Sequence, residues 1–367
     1  MSRFTDLRSD VENISQVLNQ RNLVNRVMNR AQDRIAGFHP FPFLLDESFL
    51  TTVDDYSTGT VSVTAGSTTV TGASTVFTSA MVGRKIRISS ENAYYRIAAF
   101  VSTTEITLEA PYQGTTASAQ TYLLYQDEYR LKADLDVQHF AREIQNGVAL
   151  IDLDPGDFDI NYATPTATGD PKFIVPIGTR RDTYSTGTVS AVTNTITGVS
   201  TDWLNVQGLS RGSRIRIGTL VYTVKSVDSA TQLTVYETVT TVSAGTSYVI
   251  FLDNPRILLH SIPDAARNIY YRYYRRPTPL VNDYDEPDIP GSWQHLIVLG
   301  SLTELYQFKN DIEKSVINER EFQGGIQKMK SQYRSQTRVY QRFPQGSGSR
   351  SFQPRFPAGT DVRAHAP

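Results

Sequence analysis

Five histidines, at positions 39, 139, 260, 295 and 365, are the first residues to weigh for metal or acid-base chemistry, and no two of them share a short spacing. Two ligands on one helix face need such a spacing, so no local metal set is written in the chain. The acidic run Asp152, Asp154, Asp157 and Asp159 imitates a calcium loop, but Ala163 stands where the closing glutamate belongs and Pro155 interrupts it. It reads as a solvated turn inside a polar loop from Asp152 to Asp170. Asp283, Asp285, Glu286 and Asp288 read as a loop leading to a helix capped by Ser292. There is no Gly-x-Ser-x-Gly elbow and no phosphate loop ending in Lys-Ser/Thr. The absence of cysteine removes thiolate nucleophiles, disulfides and cysteine zinc sites together. A carboxylate pair could be assembled at will from 37 acidic residues, so pairing alone carries no signal. The chain is read as a non-enzyme with no cofactor.

Two groups of arginines point instead to contacts. Arg26, Arg30 and Arg34 fall four apart on one face of a helix. That stripe is either a solvated face or a surface for DNA phosphates or an acidic partner. After Gln341 the composition turns to Pro, Gly and Ser, with Arg342, Arg350, Arg355 and Arg363 set among Phe343, Phe352 and Phe356. Such a segment, too polar to build a core, is either an untidy terminus or an arm that orders along a partner groove.

The elements that would position these residues fall into a helical frame and a β-rich passage written twice. Both copies open with YSTGTVS, at Tyr56 and Tyr184. The first continues through Thr69-Val70-Thr71-Gly72, Gly83 to Ile88, Tyr95-Arg96-Ile97 and Ile106-Thr107-Leu108. The second answers with Thr195-Ile196-Thr197-Gly198, Gly212 to Ile217, Tyr222-Thr223-Val224 and Leu233-Thr234-Val235. Matching landmarks in one order mark two related modules. Each is rich in Thr, Val, Ser and Tyr and punctuated by glycine, which predicts about six short strands in a small barrel or immunoglobulin-like sandwich. Leu23, Val24, Val27, Met28, Ala31 and Ile35 recur at helical spacing. Ser9 and Glu12 have capping-box spacing ahead of Val11, Ile14 and Leu18, predicting a shorter helix before it. FHPFPF stops the helix. NIYYRYYRR, Asn268 to Arg276, reads as a strand closing the central region. Trp293, Leu296, Ile297, Leu302, Leu305 and Tyr306 face inward on a C-terminal helix that Asn310 and Asp311 interrupt. A further helix turns Ile312, Val316, Phe322, Ile326, Met329 and Tyr333 inward, weakened by Gly324 and Gly325.

The predicted class is α+β and multidomain, with a discontinuous helical-bundle core and two inserted, mutually related antiparallel β-modules. Its divisions are 1–50 for the N-terminal helical part, 56–126 and 184–252 for the modules, 131–182 for the connecting part, 253–340 for the C-terminal strand and helices, and 341–367 for the arm. With 36 basic and 37 acidic residues the net charge is −1, which argues against a general nucleic-acid binder. No apolar run reaches the roughly 18 residues of a membrane span, and no signal peptide is legible.

The stretch YYRRPTPLVNDYDEPDIPGSWQHLIVLGSLTELYQFKND, Tyr273 to Asp311, with Phe322, Met329 and Tyr333 after it, resembles the helical core of the head-to-tail adaptors of tailed bacteriophages. NRAQDRIAGFHPFPF and Gly169-Asp170-Pro171 are similar to the opening helix and the middle of that family. The modules resemble insertions common in phage structural proteins. The resemblance implies a ring, usually of twelve copies, below the portal in the neck of the virion, assembled in the host cytoplasm. It would join capsid to tail and conduct DNA during ejection. Implied partners are the portal, a tail or nozzle protein, tail fibres or capsid through the modules, and transient non-specific DNA, with no membrane. On this reading Arg342, Phe343, Arg350, Phe352, Arg355 and Phe356 dock the portal, while Trp293, Leu296, Leu302 and Leu305 hold the core helix. The alternatives are a tail fibre or glycan-binding component and, behind it, a tail-associated hydrolase.

Overall fold

The chain is seen in a computed structural model that describes residues 3–17, 20–89, 91, 93–143, 147, 149–162 and 167–340. It is a mixed α+β protein in which the helices of the two chain ends meet. Helices α1 (Phe4–Ser15), α2 (Arg21–Phe38), α4 (His295–Phe308) and α5 (Ile312–Tyr340) share one apolar cluster, from Phe4, Leu7 and Val11 through Val24 to Ile35, then Leu296 to Tyr306, Phe322, Ile326 and Met329. The apolar periodicity of α2 is the buried face, and the helix ends where His39, fixed ahead of Pro40, takes an extended backbone. Phe41 and Phe43 then stack 5.2 Å apart and both meet the ring of Tyr333 on α5.

Four local expectations are corrected. Helix α1 begins at Phe4, before the expected Ser9 box, because the amide of Arg3 donates to the Asp6 carboxylate at 3.0 Å; Ser9 instead donates back to the carbonyl of Thr5. Ile14 is exposed, and Leu18 lies outside the described residues. Ser292 sits in a short 3-10 turn, and α4 starts after Gln294, whose side chain donates to the carbonyl of Ile289. The polar loop after Asp152 contains a helix, α3 (Pro155–Asn161), because the Asp154 carboxylate accepts from the amide of Gly156 with Pro155 in the first turn. Ile312 and Val316 face outward; among the described apolar side chains of α5, Phe322, Ile326 and Met329 are buried and Tyr333 is partly so. The break before α5 is at Asn310, in the left-handed region at φ 60°, after which Asp311 accepts from the amide of Lys314.

Two sheets form the middle layer. One has the order β1 (Leu45–Thr51), β20 (Asn268–Arg275), β10 (Leu135–Glu143); the other runs β11 (Ile151–Asp152), β12 (Phe173–Thr179), β19 (Pro255–His260), β9 (Glu128–Arg130). The tyrosine-rich strand is thus β20, central in its sheet. Its Tyr271 and Tyr273 share a core with Leu50, Tyr129, Ile174, Ile257 and Leu259, so the two sheets pack on each other. Helix α3 lies on the second sheet through Phe158, Val175 and Leu258.

The repeated passages form the two remaining sheets. The first holds β2 (Thr60–Val63), β3 (Thr69–Ala73), β4 (Lys85–Ile88), β5 (Tyr94–Ser102), β6 (Glu105–Leu108), β7 (Ala117–Gln120) and β8 (Tyr122–Tyr125), in the order β7-β2-β3-β6-β5-β4-β8. β7 and β8 are joined by Thr121 alone yet stand at opposite ends of that order, so the sheet curls back on itself. The second holds β13 (Asp182–Tyr184), β14 (Thr188–Val199), β15 (Arg214–Ile217), β16 (Leu220–Ser229), β17 (Gln232–Thr246) and β18 (Tyr248–Leu252), in the order β13-β18-β15-β16-β17-β14.

The two copies share a set of bonds at equivalent places. Tyr56 bridges Leu124 as Tyr184 pairs with Ile250. The hydroxyl of Tyr122 donates to Thr58 O at 2.7 Å and that of Tyr248 to Thr186 O at 2.6 Å. Thr75 and Thr201 donate to the carbonyls of Thr103 and Ala230, and the amides of Phe77 and Trp203 donate to the same two carbonyls. Gly59 and Gly187 lie at φ 82° and 83°, each with a carbonyl within 2.4 Å of where a Cβ would stand. The shared YSTGTVS string therefore encodes a turn that only glycine fits.

Candidate functional site

The arginine stripe of α2 is largely absorbed by the helices around it. Arg34 holds both carboxylate oxygens of Glu319 on α5, at 2.7 and 2.9 Å, with its guanidinium 4.6 Å over the ring of Phe322. Arg30 reaches Glu304 on α4 at 3.6 Å. Arg26 is exposed and makes no ion pair among the described residues. With Gln307 and Phe308, the paired residues line an open cleft between α2, α4 and α5. Such partly solvated pairs contribute about 0 to 1 kcal/mol each and serve register more than stability.

Leu296, Leu302 and Leu305 are buried in the helical cluster and Trp293 packs at its margin. Two glycines let the helices meet. A Cβ on Gly325 would fall 2.3 Å from a methyl of Leu296, and one on Gly300 would lie 2.9 Å from Phe322 and 3.0 Å from Ala31. Propensity counts glycine only as a cost to α5, whereas close approach is what Gly325 supplies. Arg342, Phe343, Arg350, Phe352, Arg355 and Phe356 lie outside the described residues.

Sequence spacing missed a chain of charges at the root of the modules. Lys85 on β4 is buried with its Nζ 2.9 Å from both Asp127 and Glu128, and Glu128 also takes Arg96 at 2.8 Å and Arg256 at 2.7 Å. Arg96 lies 3.8 Å from Glu109, which binds Arg180 at 2.7 Å; Arg180 is 3.2 Å from Asp182, and Asp182 pairs with Arg130. The chain thus runs from the first module through β9 to the first strand of the second. Burial works against the Lys85 ammonium, but Asp127 and Glu128 outweigh it and hold its pKa above the ordinary value. Burial likewise opposes the Glu128 carboxylate, yet Lys85 and Arg96 keep its pKa below the usual range. Asp127, more deeply buried and with Oδ1 unpartnered among the described residues, is pushed up by burial despite Lys85. Burial and the neighbouring Arg256, Arg180 and Arg96 lower Arg130 to about 10.

Arg130 and Arg256 stand directly opposite each other in the antiparallel ladder of β9 and β19. They also occupy equivalent places after the last strands of the two modules, in Asp127-Glu128-Tyr129-Arg130 and Asp253-Asn254-Pro255-Arg256. A local two-fold relation therefore passes between them. The second module has its own seat: Arg211 binds Asp134 through Nε at 2.8 Å and reaches Asp46 at 3.0 Å, while Gly208 and Gly212 lie against Arg130 and Asp134. Asp134 raises Arg211 above its ordinary value against the effect of burial. A comparison of the two copies could have exposed this joint, since Glu128 stands where the second copy has Asn254.

Among the described residues no group of three or more His, Asp or Glu could hold a metal, and no helix is long and apolar enough to cross a membrane. The structure joins helices from both chain ends, two packed middle sheets and two charge-tied β-modules. The sequence matches the SU10 adaptor protein family across residues 2–344, and the chain belongs to that family, in keeping with the resemblance to phage head-to-tail adaptors. No curated protein matches it.

Proposed function

We propose that the protein is a ring-forming neck component that sits below the portal of a tailed phage, joins capsid to tail and leaves a passage for DNA. The family match over nearly the whole chain carries this reading. The apolar cluster built from α1, α2, α4 and α5 supports it as the assembly core, a discontinuous helical bundle from which both modules project. The near-neutral charge suits a conduit, because strong phosphate binding would retain the genome. Twelve copies, contact with a tail or nozzle protein, and module contacts with fibres or capsid belong to the same proposal. So does docking of the portal by Arg342, Phe343, Arg350, Phe352, Arg355 and Phe356. The mass of the purified protein, alone and mixed with portal, tests it: a closed multimer is expected. A single copy in both conditions overturns the ring. Truncation after Arg338 is expected to weaken portal attachment at least tenfold while leaving the melting temperature unchanged, and equal attachment removes the arm from the interface.

A further inference from the structure

His260, the last residue of β19, is 6 % exposed, and three aromatic rings pack round its imidazole. The ring of Tyr162 lies 4.6 Å away, that of Phe158 on α3 lies 5.6 Å away, and that of Phe173, its ladder partner on β12, stacks at 6.1 Å. Its Nδ1 is buried with no hydrogen-bond partner among the described residues. A neutral ring fits such a place. An imidazolium, which must donate from both nitrogens, does not.

The same rings hold α3 down. The helix is 7 residues long, and its buried side chain is Phe158, which packs on Val175 and Leu258 with Tyr162 at the margin. So small an apolar contact leaves little to oppose an unfavourable charge beneath it. The charges on the elements around the ring are Asp154, Asp157 and Asp159 of α3 and its cap, Asp152 of β11, Lys172 before β12, Arg256 of β19 and Glu128 of β9. Lys172 is the charge that acts on the ring, and with burial it holds the imidazole pKa below its ordinary value. Attraction of a cation to the faces of Tyr162 and Phe173 offsets part of this but supplies no acceptor for Nδ1.

We infer that α3 is an acid-labile flap: a neutral His260 keeps it closed on β12 and β19, and protonation of His260 releases it and uncovers Val175 and Leu258. An imidazole that binds its proton less readily when closed favours the open form as acid is added. Closure is therefore fully favoured above about pH 6.5, the ordinary histidine value, and weakens as pH falls from there towards the lower closed-state value.

Because the chain has no cysteine, Val175→Cys in the full chain reports opening without background. Val175 is buried, so its thiol should react with dithiodipyridine only when α3 lifts. Measured against Val192→Cys, at an exposed position, its rate is expected to rise about tenfold between about pH 7.5 and about pH 5. Adding His260→Phe, which keeps a ring in place, should abolish the rise. Lys172→Gln, at an exposed position, should reduce it. No rise in Val175→Cys alone overturns the flap, and a rise that survives His260→Phe assigns the effect to the carboxylates and overturns it too. If His260→Phe does not fold, Lys172→Gln decides, and an unchanged rise removes the imidazole charge as the trigger. An equal rise at a second buried thiol, Leu302→Cys in the helical cluster, would mean general acid unfolding and also overturn the proposal.

Discussion

The two β-modules share turns, tyrosine anchors and threonine bonds, yet the same repeat position is buried in one and open in the other. Lys85 and Asp127 of the first copy form a pair 2.9 Å apart whose side chains are almost wholly enclosed. Their counterparts in the second, Arg214 and Asp253, also pair, but both side chains are substantially exposed. The difference starts at the next residue. Glu128 gathers Lys85, Arg96 and Arg256, whereas Asn254 turns inward to donate to the carbonyls of Leu131 and Gly208. The comparison teaches that the duplicated string sets the module, while its seat depends on which charges meet at the root.

The largest effect separates module from seat. Phe77 and Trp203 are equivalent and fully buried, and Trp203 also donates to the hydroxyl of Tyr248 at 3.0 Å. Replacement of either by alanine should cost about 3 to 5 kcal/mol. Hydrogen exchange should show the lost protection confined to the strands of the module that carries the change. Loss spreading equally to both modules would make them one cooperative unit and end the comparison.

Glu128→Gln is next, at about 2 to 3 kcal/mol, because it leaves buried Lys85 with Asp127 alone and takes the charged partner from the partly buried Arg96 and Arg256. Exchange protection should fall at the root of both modules, and a normal melt would remove Glu128 as the keystone. The variant should also alter the acid limb of the stability curve. Since Glu128 is held below its usual pKa, its contribution is present above about pH 4.3, the unfolded value, and is lost as pH falls through the lower folded value. Melts from pH 7 to pH 3 should therefore decline less steeply in the variant at the acid end.

Gly59→Ala and Gly187→Ala should each cost about 1 to 3 kcal/mol, since both residues combine positive φ with a carbonyl against the new methyl. Equal losses in urea melts would sharpen the equivalence; a neutral result at one position would show that its turn can relax. Asp253→Asn should be the mildest, about 0 to 1 kcal/mol, as expected of an exposed pair. A larger loss would mean that the outer face of the second module bears more of the fold than its exposure implies.

How much was legible in the residues follows the range of each interaction. The repeat, the buried face of α2, the strand NIYYRYYRR and the break at Asn310 all depend on neighbours within a few positions, and they stand in the structure as patterned. Helix ends were less legible because capping can be satisfied in several ways: Asp6 and not Ser9 serves α1, and Asp154 nucleates α3 within an apparently polar loop. The periodicity of α5 marked Ile312 and Val316 as inward, since a pattern cannot tell a face that meets α4 from one that extends past it.

The candidate site was the least legible. Glu128 gathers cations from β4, β5 and β19, and the partners of Arg30 and Arg34 come from the opposite end of the chain. By itself the sequence determined two β-modules and amphipathic helices, because turn chemistry and apolar period act locally through backbone sterics and solvent exclusion. It took the assembled fold to make Gly325 a contact for Leu296, to pair most of the arginine stripe, and to anchor one module through the partly buried Glu128 and the other through Arg211. Close approach and charge pairing fall off within a few ångströms, so they are fixed by which distant segments the fold brings together.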